Sequence, residues 1–419
     1  MNRVQGNSGP VRLSALVSTY ASERYLQGCL ESLLGQTRAD ALEVVVVDAC
    51  SPEREGELVR AFQHAHPELP ITYVRTEARE ASSASFRRAI ALARGEFVTT
   101  ANADDRHAPE FTERMLAVLD QRPDVGLVYA DTAITNRDNE TWHRHTAKKR
   151  FAWPHYTPAV ALSCCLFGAQ PVWRRAVHEV VGGFDDGHGY ANDQDMFLRI
   201  ARRFRAVHLD EVLGLFLQRP DSVAGSGNRA ASLADACAVF RKARRSWSID
   251  EIVPGATAAG PFGLAAAYVE LGNLGALGPY TDAELALQCY QRALQAGSAG
   301  PVAALVKDSF ANNTACVLAA AGLREQAERA LALCGSSAHR QHNAARFRAG
   351  RPSLHELQFV ELLPDVVVQS RASRGVVVGS DGAVCDTEVV VQRPWDVFAG
   401  PNGVPWSPAV PGSALLATR

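Results

Sequence analysis

Residues 95–110, GEFVTTANADDRHAPE, set two adjacent carboxylates, Asp104 and Asp105, at the end of a short apolar run and just ahead of Pro109. Carboxylates in a chain serve as oxygen ligands for a hard cation or as proton acceptors. By themselves these two also fit a solvated turn, because Asn and Asp favour turns and proline suits the first position of a helix. A further acidic residue stands in GYANDQDMFLRIARRF, residues 189–204, where Met196, Phe197, Ile200 and Phe204 share a helical face. That face places Asp193 near the helix N-terminus, where the dipole alone would account for a carboxylate.

The elements around these residues decide between the readings. RLSALVS (12–18) has strand character, and LQGCLESLLGQ (26–36) carries Leu26, Leu30, Leu33 and Leu34 on one helical face. LEVVVVD (42–48) is an apolar run of strand length, followed by Ser51-Pro52 as a helix cap and first turn. ITYVR (71–75) predicts a strand, residues 83–94 a helix that stops at Gly95, EFVTT a strand, the Phe111–Met115–Leu119 spacing a helix, and VGLVYAD (125–131) a strand. VWRRAVHEVVGGFDD predicts a helix ended by Gly182-Gly183. Repeated strand–helix units imply a mostly parallel sheet covered on both faces, and ligands of such sheets bind beyond the strand carboxyl ends. Ser18, Asp48, Asp104 and Asp105 all fall at or just past such ends.

Past the turn-rich QRPDSVAGSGN (218–228) the composition changes, and residues 229–345 look helical and alanine-rich. Ala286, Tyr290 and Ala293 show a small–aromatic–small spacing that Ala327, Leu331 and Cys334 repeat 41 residues on. The pattern fits a tetratricopeptide-like helical hairpin or a generic bundle. Residues 346–419 alternate β-like runs with a Pro/Gly-rich end and predict a small β-rich or partly disordered segment. The 419 residues suit more than one domain, and a formal net charge of -2 argues against nucleic acid as a partner. No stretch has the length of a transmembrane segment, and MNRVQGNSGP has no apolar signal region, so the expectation is a cytoplasmic protein. Nine cysteines without a CxxC pair fit reduced thiols.

The first 220 or so residues resemble the family-2 glycosyltransferases of the GT-A fold. The resemblance rests on LVSTYASERYLQGCLESLLGQT, EVVVVDACS, ARGEFVTTANADD and VGGFDDGHGYANDQDMFLRIA, four motifs in the family's order. It implies an α/β, Rossmann-like GT-A domain over 11–228 with a mostly parallel mixed sheet, then the helical region over 229–345 and the tail over 346–419. It also implies an inverting, metal-dependent transferase that moves a sugar from a nucleoside diphosphate, UDP by family default, to a hydroxyl of a glycan, lipid-linked or protein acceptor. On that resemblance Asp105 binds Mn2+ or Mg2+, and Asp104 binds the ribose or the metal shell. Ser18, Tyr20 and Asp48 line the nucleotide-sugar site, and Asp193 is the general base. Asn192, Asp195 and Arg199 stand in acceptor-facing or supporting positions. Surface polysaccharide or other glycan synthesis and a peripheral place at the inner face of a membrane follow from the same resemblance, and a protein partner on the helical region follows from its tetratricopeptide-like spacing.

The sequence departs from the family at Asn102, where Asp is usual, at Ala49, where a second Asp often recognises the base, and at Asn192, where Glu is common. These departures keep open a non-catalytic scaffold built from the same domain and helical repeats. A nucleotidyltransferase is disfavoured, because no Gly-rich phosphate loop with a basic residue lies near the N-terminus.

Overall fold

The computed structural model describes residues 10–219, 228–277, 280–300 and 303–362 and the strands 376–379 and 384–386. The chain runs β1 Leu13–Thr19, α1 Glu23–Leu34, β2 Leu42–Asp48, α2 Glu55–Ala65, β3 Ile71–Arg75, α3 Ser82–Leu92, β4 Phe97–Thr100, β5 Arg106–His107, α4 Phe111–Gln121 and β6 Val125–Thr135. It continues with β7 Lys149–Phe151, α5 Pro158–Ala161, β8 Val172–Arg174, α6 His178–Val181, α7 Asn192–Arg203 and β9 Arg205–Leu217. The helices α8 Arg229–Ser246, α9 Ile249–Ile252, α10 Gly260–Leu277, α11 Ala283–Ala296, α12 Ala303–Ala320, α13 Arg324–Ala332 and α14 Ala338–Ala349 follow, and then β10 Val376–Gly379 and β11 Val384–Asp386. Two compact units result: Met1–Tyr156, Leu166–Ala236 and Val376–Thr387 in the first, and Thr157–Cys165 with Cys237–Gly375 in the second.

In the first unit the strand order is β11-β10-β7-β6-β8-β4-β1-β2-β3, with β9 joined to β6 and to β5. The stretch β4-β1-β2-β3 is parallel throughout, and β8 runs antiparallel between β4 and β6. β-branched runs suit such a twice-covered sheet, and every residue of β2 is buried. Leu13, Ala15, Val17, Val44 and Val46 face the core formed with α1, α2 and α4. Their neighbours Leu16, Val45 and Val47 are buried on the opposite side, where α3 packs on β1 and β2. α1 buries Tyr25, Leu26, Cys29, Leu30 and Leu33, a helical stripe. Gly95 is required between α3 and β4, since a Cβ there would lie 2.8 Å from the Ser14 amide nitrogen. The α/β sheet with helices on both faces is thus the one the sequence predicts.

Two local expectations are corrected. The helix predicted over VWRRAVHEVV is strand β8 followed by a short turn and α6, because Val172 and Trp173 pair with both β4 and β6 and Trp173 is fully buried. A three-residue strand is too short to show its own periodicity, so tertiary pairing decides it. Ser51 does not cap α2, which begins at Glu55. Asp48 captures the Ser51 amide at 2.7 Å and keeps the chain in a turn for one more step.

The second unit is helical. α10 to α14 pack each against the next, and α10 also packs on α12, and α12 on α14. Ala286, Tyr290, Ala293, Ala327, Leu331 and Cys334 are all buried. Gly272 lets the Tyr290 ring lie against α10, where a Cβ would stand 2.4 Å from it. None of the described cysteines is in a disulfide. Beyond Leu362, the expected β-rich tail lies outside the described residues except for β10 and β11, which pair with each other and with β7. No described helix is long and apolar enough to cross a membrane.

Candidate functional site

The strand order 3-2-1-4 reverses direction between β1 and β4, the point at which parallel sheets bind ligands. Thr19 lies opposite Asp48 in neighbouring strands, and Leu16 opposite Thr100. The residues following β1, β2 and β4 therefore emerge on one edge. Ser18 and Tyr20 are half-buried there, and the Arg79 guanidinium lies 4.2 Å from the centroid of the Tyr20 ring. The turns leaving β1 and β2 hold Ala21 at φ 51° and Cys50 at φ 60°, left-handed conformations that cost about 1–3 kcal/mol each and persist where the surroundings fix them. What fixes them is Ser51 Oγ, which accepts from the Ala21 amide at 3.0 Å and donates to the buried Glu55 at 2.7 Å, while Glu55 accepts the Ser22 amide at 2.9 Å.

Asp48 is wholly buried, and its oxygens are engaged by the protein. Oδ1 takes the Ser51 amide, and Oδ2 takes the Tyr73 hydroxyl and Arg75 Nη1, both at 2.6 Å. Burial, and then the bond to Asp48, push the Tyr73 phenol up to about 12. Asp48 thus presents Arg75, whose Nη2 also bonds the Ser51 carbonyl at 2.7 Å. Ala49 is buried, and its amide donates to Thr19 O at 2.9 Å.

The two carboxylates after β4 differ. Asp105 is buried, with Oδ1 accepting the Leu217 amide at 3.2 Å and Oδ2 the Asn102 side-chain amide at 3.1 Å. Asn102 supplies a donor that an aspartate in its place would lack. Asp104 is partly exposed, and its Oδ2 meets Arg219 Nη2 at 3.0 Å. Burial and the adjacent Asp104 raise the Asp105 carboxyl to about 8. Arg106, also buried, ties the loop down through the carbonyls of Ala103 (3.0 Å) and Asp105 (2.7 Å). Two adjacent carboxylates, one of them partly exposed, are oxygen ligands of the kind a divalent cation takes. Among the described residues no group of three or more His, Cys, Asp or Glu side chains could hold a metal alone. A cation here would complete its shell with phosphate and water oxygens, as magnesium-type sites do.

Asp193 occupies the second position of α7. Its side chain is exposed to solvent. Desolvation by nearby protein raises its carboxyl above the ordinary range and outweighs the Gln194 amide, which donates to Oδ1 at 2.7 Å. Neighbouring residues fix the helix end. Asn192 Nδ2 reaches Ser82 Oγ at 3.2 Å. Asp195 is buried and bonds Arg199 Nε at 2.8 Å, while Arg199 also donates to the carbonyls of Val181 and Gly183 and so anchors the Gly182-Gly183 turn. Gly182 has φ 77°, a conformation glycine adopts without strain.

Some residues escaped the sequence reading. Asp235, in the part of α8 that belongs to the first unit, accepts the amides of Tyr190 (2.7 Å) and Ala191 (3.0 Å) and meets His188 Nδ1 at 2.8 Å. Nothing in an alanine-rich helix start marks it. Arg219 and Arg75 are likewise single basic residues at strand ends, a signal too common to single out.

Residues 14–175 match the model of the family described as Glycosyl transferase family 2. The chain is 26% identical over 197 residues to the uncharacterised glycosyltransferase YwdF of Bacillus subtilis, covering 46% of this chain and 70% of that one. It is 24% identical over 200 residues to chondroitin synthase of Escherichia coli, covering 48% of this chain but 28% of the synthase. Among solved structures, a mannosyltransferase from Pyrobaculum calidifontis in complex with GDP-Man and Mn2+ aligns with a TM-score of 0.47 and 21% identity, over 70% of this chain and 78% of that one.

Proposed function

We propose that this chain, whose residues 14–175 match the model of the family-2 glycosyltransferases, is an inverting, metal-dependent glycosyltransferase. It moves a sugar from a nucleoside diphosphate, UDP by default, to an acceptor hydroxyl in surface polysaccharide or other glycan synthesis. The observation that carries the reading is Asp193, a solvent-exposed carboxylate whose helix end is pinned from three sides.

Asp193 takes the proton as the acceptor oxygen attacks the anomeric carbon. The bond from that carbon to the diphosphate oxygen breaks, and the nucleoside diphosphate leaves with the electron pair. One base acting on the face opposite the leaving group inverts the centre, and a carboxyl raised by its surroundings is better matched to the task than an ordinary one. Asp105 and Asp104 would hold the cation and the ribose, and the cation would supply charge neutralisation to the diphosphate. Tyr20 with Arg79, Ser18, and Arg75 presented by Asp48 line the place for the nucleoside. Asn192, Asp195, Arg199 and Asp235 position the base.

The catalytic region takes residues 11–228 together with the first turns of α8, which bring Asp235. The tetratricopeptide-like region at 229–345 serves as a docking module for a polypeptide partner or acceptor. With no described helix able to span a bilayer, a cytoplasmic enzyme that works peripherally at the inner membrane face on a glycan, lipid-linked or protein acceptor fits this reading. The test is thermal stabilisation by a panel of nucleoside diphosphates with and without Mn2+ or Mg2+, on the wild type and on Asp105→Ala. A metal-dependent shift with one nucleotide, lost in the variant, supports the assignment. No shift with any nucleotide overturns it.

A further inference from the structure

The second unit buries a row of carboxamides on alternate helices: Asn273 of α10, Asn312 and Asn313 of α12, and Asn343 of α14, each no more than 1% exposed. Glu270, one turn before Asn273, is buried with them. Helical stacks ordinarily fill such positions with apolar side chains, because a buried amide without partners is costly. Here the partners are main-chain groups of one segment, Leu357–Leu362.

Asn343 exchanges two bonds with the main chain of Gln358, donating to its carbonyl at 2.8 Å and accepting from its amide at 2.9 Å, and Asn312 adds a second donor to the same carbonyl at 2.8 Å. Asn313 repeats the exchange at Val360, 2.8 Å to the carbonyl and 2.7 Å from the amide, with Asn273 as the second donor at 3.3 Å. Glu270 accepts the Leu362 amide at 2.8 Å. The carboxamides are themselves oriented by Tyr290 OH on Asn273 (2.9 Å), Asn313 on Asn273 (3.0 Å) and Asn343 on Asn312 (3.0 Å). The contacts fall on every second residue, the period of an extended chain, and they read backbone alone. Selectivity falls to the buried side chains, Leu357 and Phe359 between the contacts and Leu362 at the last of them, while Gln358, Val360 and Glu361 are half-exposed. Main-chain bonds for affinity with pockets for alternate side chains is the division of labour of an extended-peptide site.

We propose that this asparagine-lined face is a binding groove for an extended polypeptide, occupied in cis by Leu357–Leu362, and that a partner protein's segment of the same chemistry displaces the occupant. Such a segment carries apolar side chains at its first, third and sixth positions and has no proline at its second, fourth or sixth. The proposal rests on the reading of the helical unit as a docking module and needs no sugar donor.

The probe is a fluorescein-labelled peptide ELQFVEL, residues 356–362, followed by anisotropy against the full chain. Val360→Pro removes the amide that bonds Asn313 and weakens the resident segment. The variant is expected to bind the peptide at least tenfold more tightly than the wild type, and adding Asn313→Ala is expected to abolish that gain. Binding that survives Asn313→Ala places polypeptide docking on another face and overturns the groove while leaving the docking role. Absence of binding to every form removes both. Assembly of the wild type into dimers that the peptide dissolves would make the occupant a second copy and overturn the partner assignment. Should Val360→Pro fail to fold, hydrogen exchange on the wild type decides. The amides of Gln358, Val360 and Leu362 are expected to exchange at least tenfold faster than those of α12, and equal protection would show a fixed part of the core and overturn the proposal.

Discussion

His188 and Asp235, 47 residues apart in the chain, meet at 2.8 Å, and the same carboxylate holds the two amides that lead into α7. Asp235→Asn should therefore lower kcat by about 10- to 100-fold through a displaced base, with the donor KM little changed. The pH profile separates this from a merely structural role. Desolvation by nearby protein is the main reason that the Asp193 carboxyl stands high, and the negative charge of Asp235 raises it further. Asp193 must be deprotonated to act, so the rate falls as pH drops through its pKa. With Asp235 neutralised that pKa falls, and the acidic limb of kcat/KM should move to lower pH. A limb that stays in place would remove Asp235 from the electrostatics of the base.

Asp193→Asn keeps the shape of the helix end while removing the proton acceptor. Sugar transfer should fall about 10²- to 10⁴-fold, whereas thermal stabilisation by metal and nucleotide should match the wild type. Retained transfer would assign the base elsewhere.

The two carboxylates after β4 should separate under mutation. Both Asp104→Ala and Asp105→Ala are expected to lose the metal-dependent thermal shift. Without ligand, Asp104→Ala should stay within about 0.5 kcal/mol of the wild type, as substitutions at partly exposed sites do. Asp105→Ala leaves the Leu217 amide and the Asn102 side chain without their acceptor in the interior, which should cost about 1–3 kcal/mol in urea denaturation.

Asp48→Ala should act on the nucleoside site through Arg75 and Tyr73 and not by direct loss of a ligand contact, because no part of the Asp48 side chain reaches solvent. Nucleotide affinity should weaken. The Tyr73 phenol, held at about 12 first by burial and then by its bond to Asp48, should titrate closer to its ordinary value in an ultraviolet titration without reaching it. An unchanged titration would show that burial alone sets it.

Much of the first unit was legible before any coordinates, because long buried strands and amphipathic helices announce themselves by period. LEVVVVD, the Leu26–Leu33 face, the strand before Asp104 and the apolar face of α7 are such cases, and the ends of the first, third and fourth carry Asp48, Asp104 and Asp193. The illegible parts share one physical cause, dependence on distant chain. β8 is three residues long and exists because β4 and β6 offer it edges on both sides. Asp235 matters through a loop more than forty residues earlier. Asn102, a doubtful departure when seen as a motif, has a reason once Asp105 is seen to need a donor. The asparagines of α10, α12 and α14 look like unremarkable polar positions until the segment at 357–362 lies across them.

The first unit is discontinuous, since its sheet continues past β7 into β10 and β11, and the helices α9 to α14 are spelled out in the chain between them. A ribosome delivers residues in order, so β7 emerges more than two hundred residues ahead of the strand that pairs with it. In that interval its edge offers unpaired backbone groups to any passing strand. Slowing synthesis between Phe151 and Val376, or expressing chains that stop short of Asp386, should thus be felt first as aggregation of nascent enzyme, in advance of any loss at the sugar-transfer site.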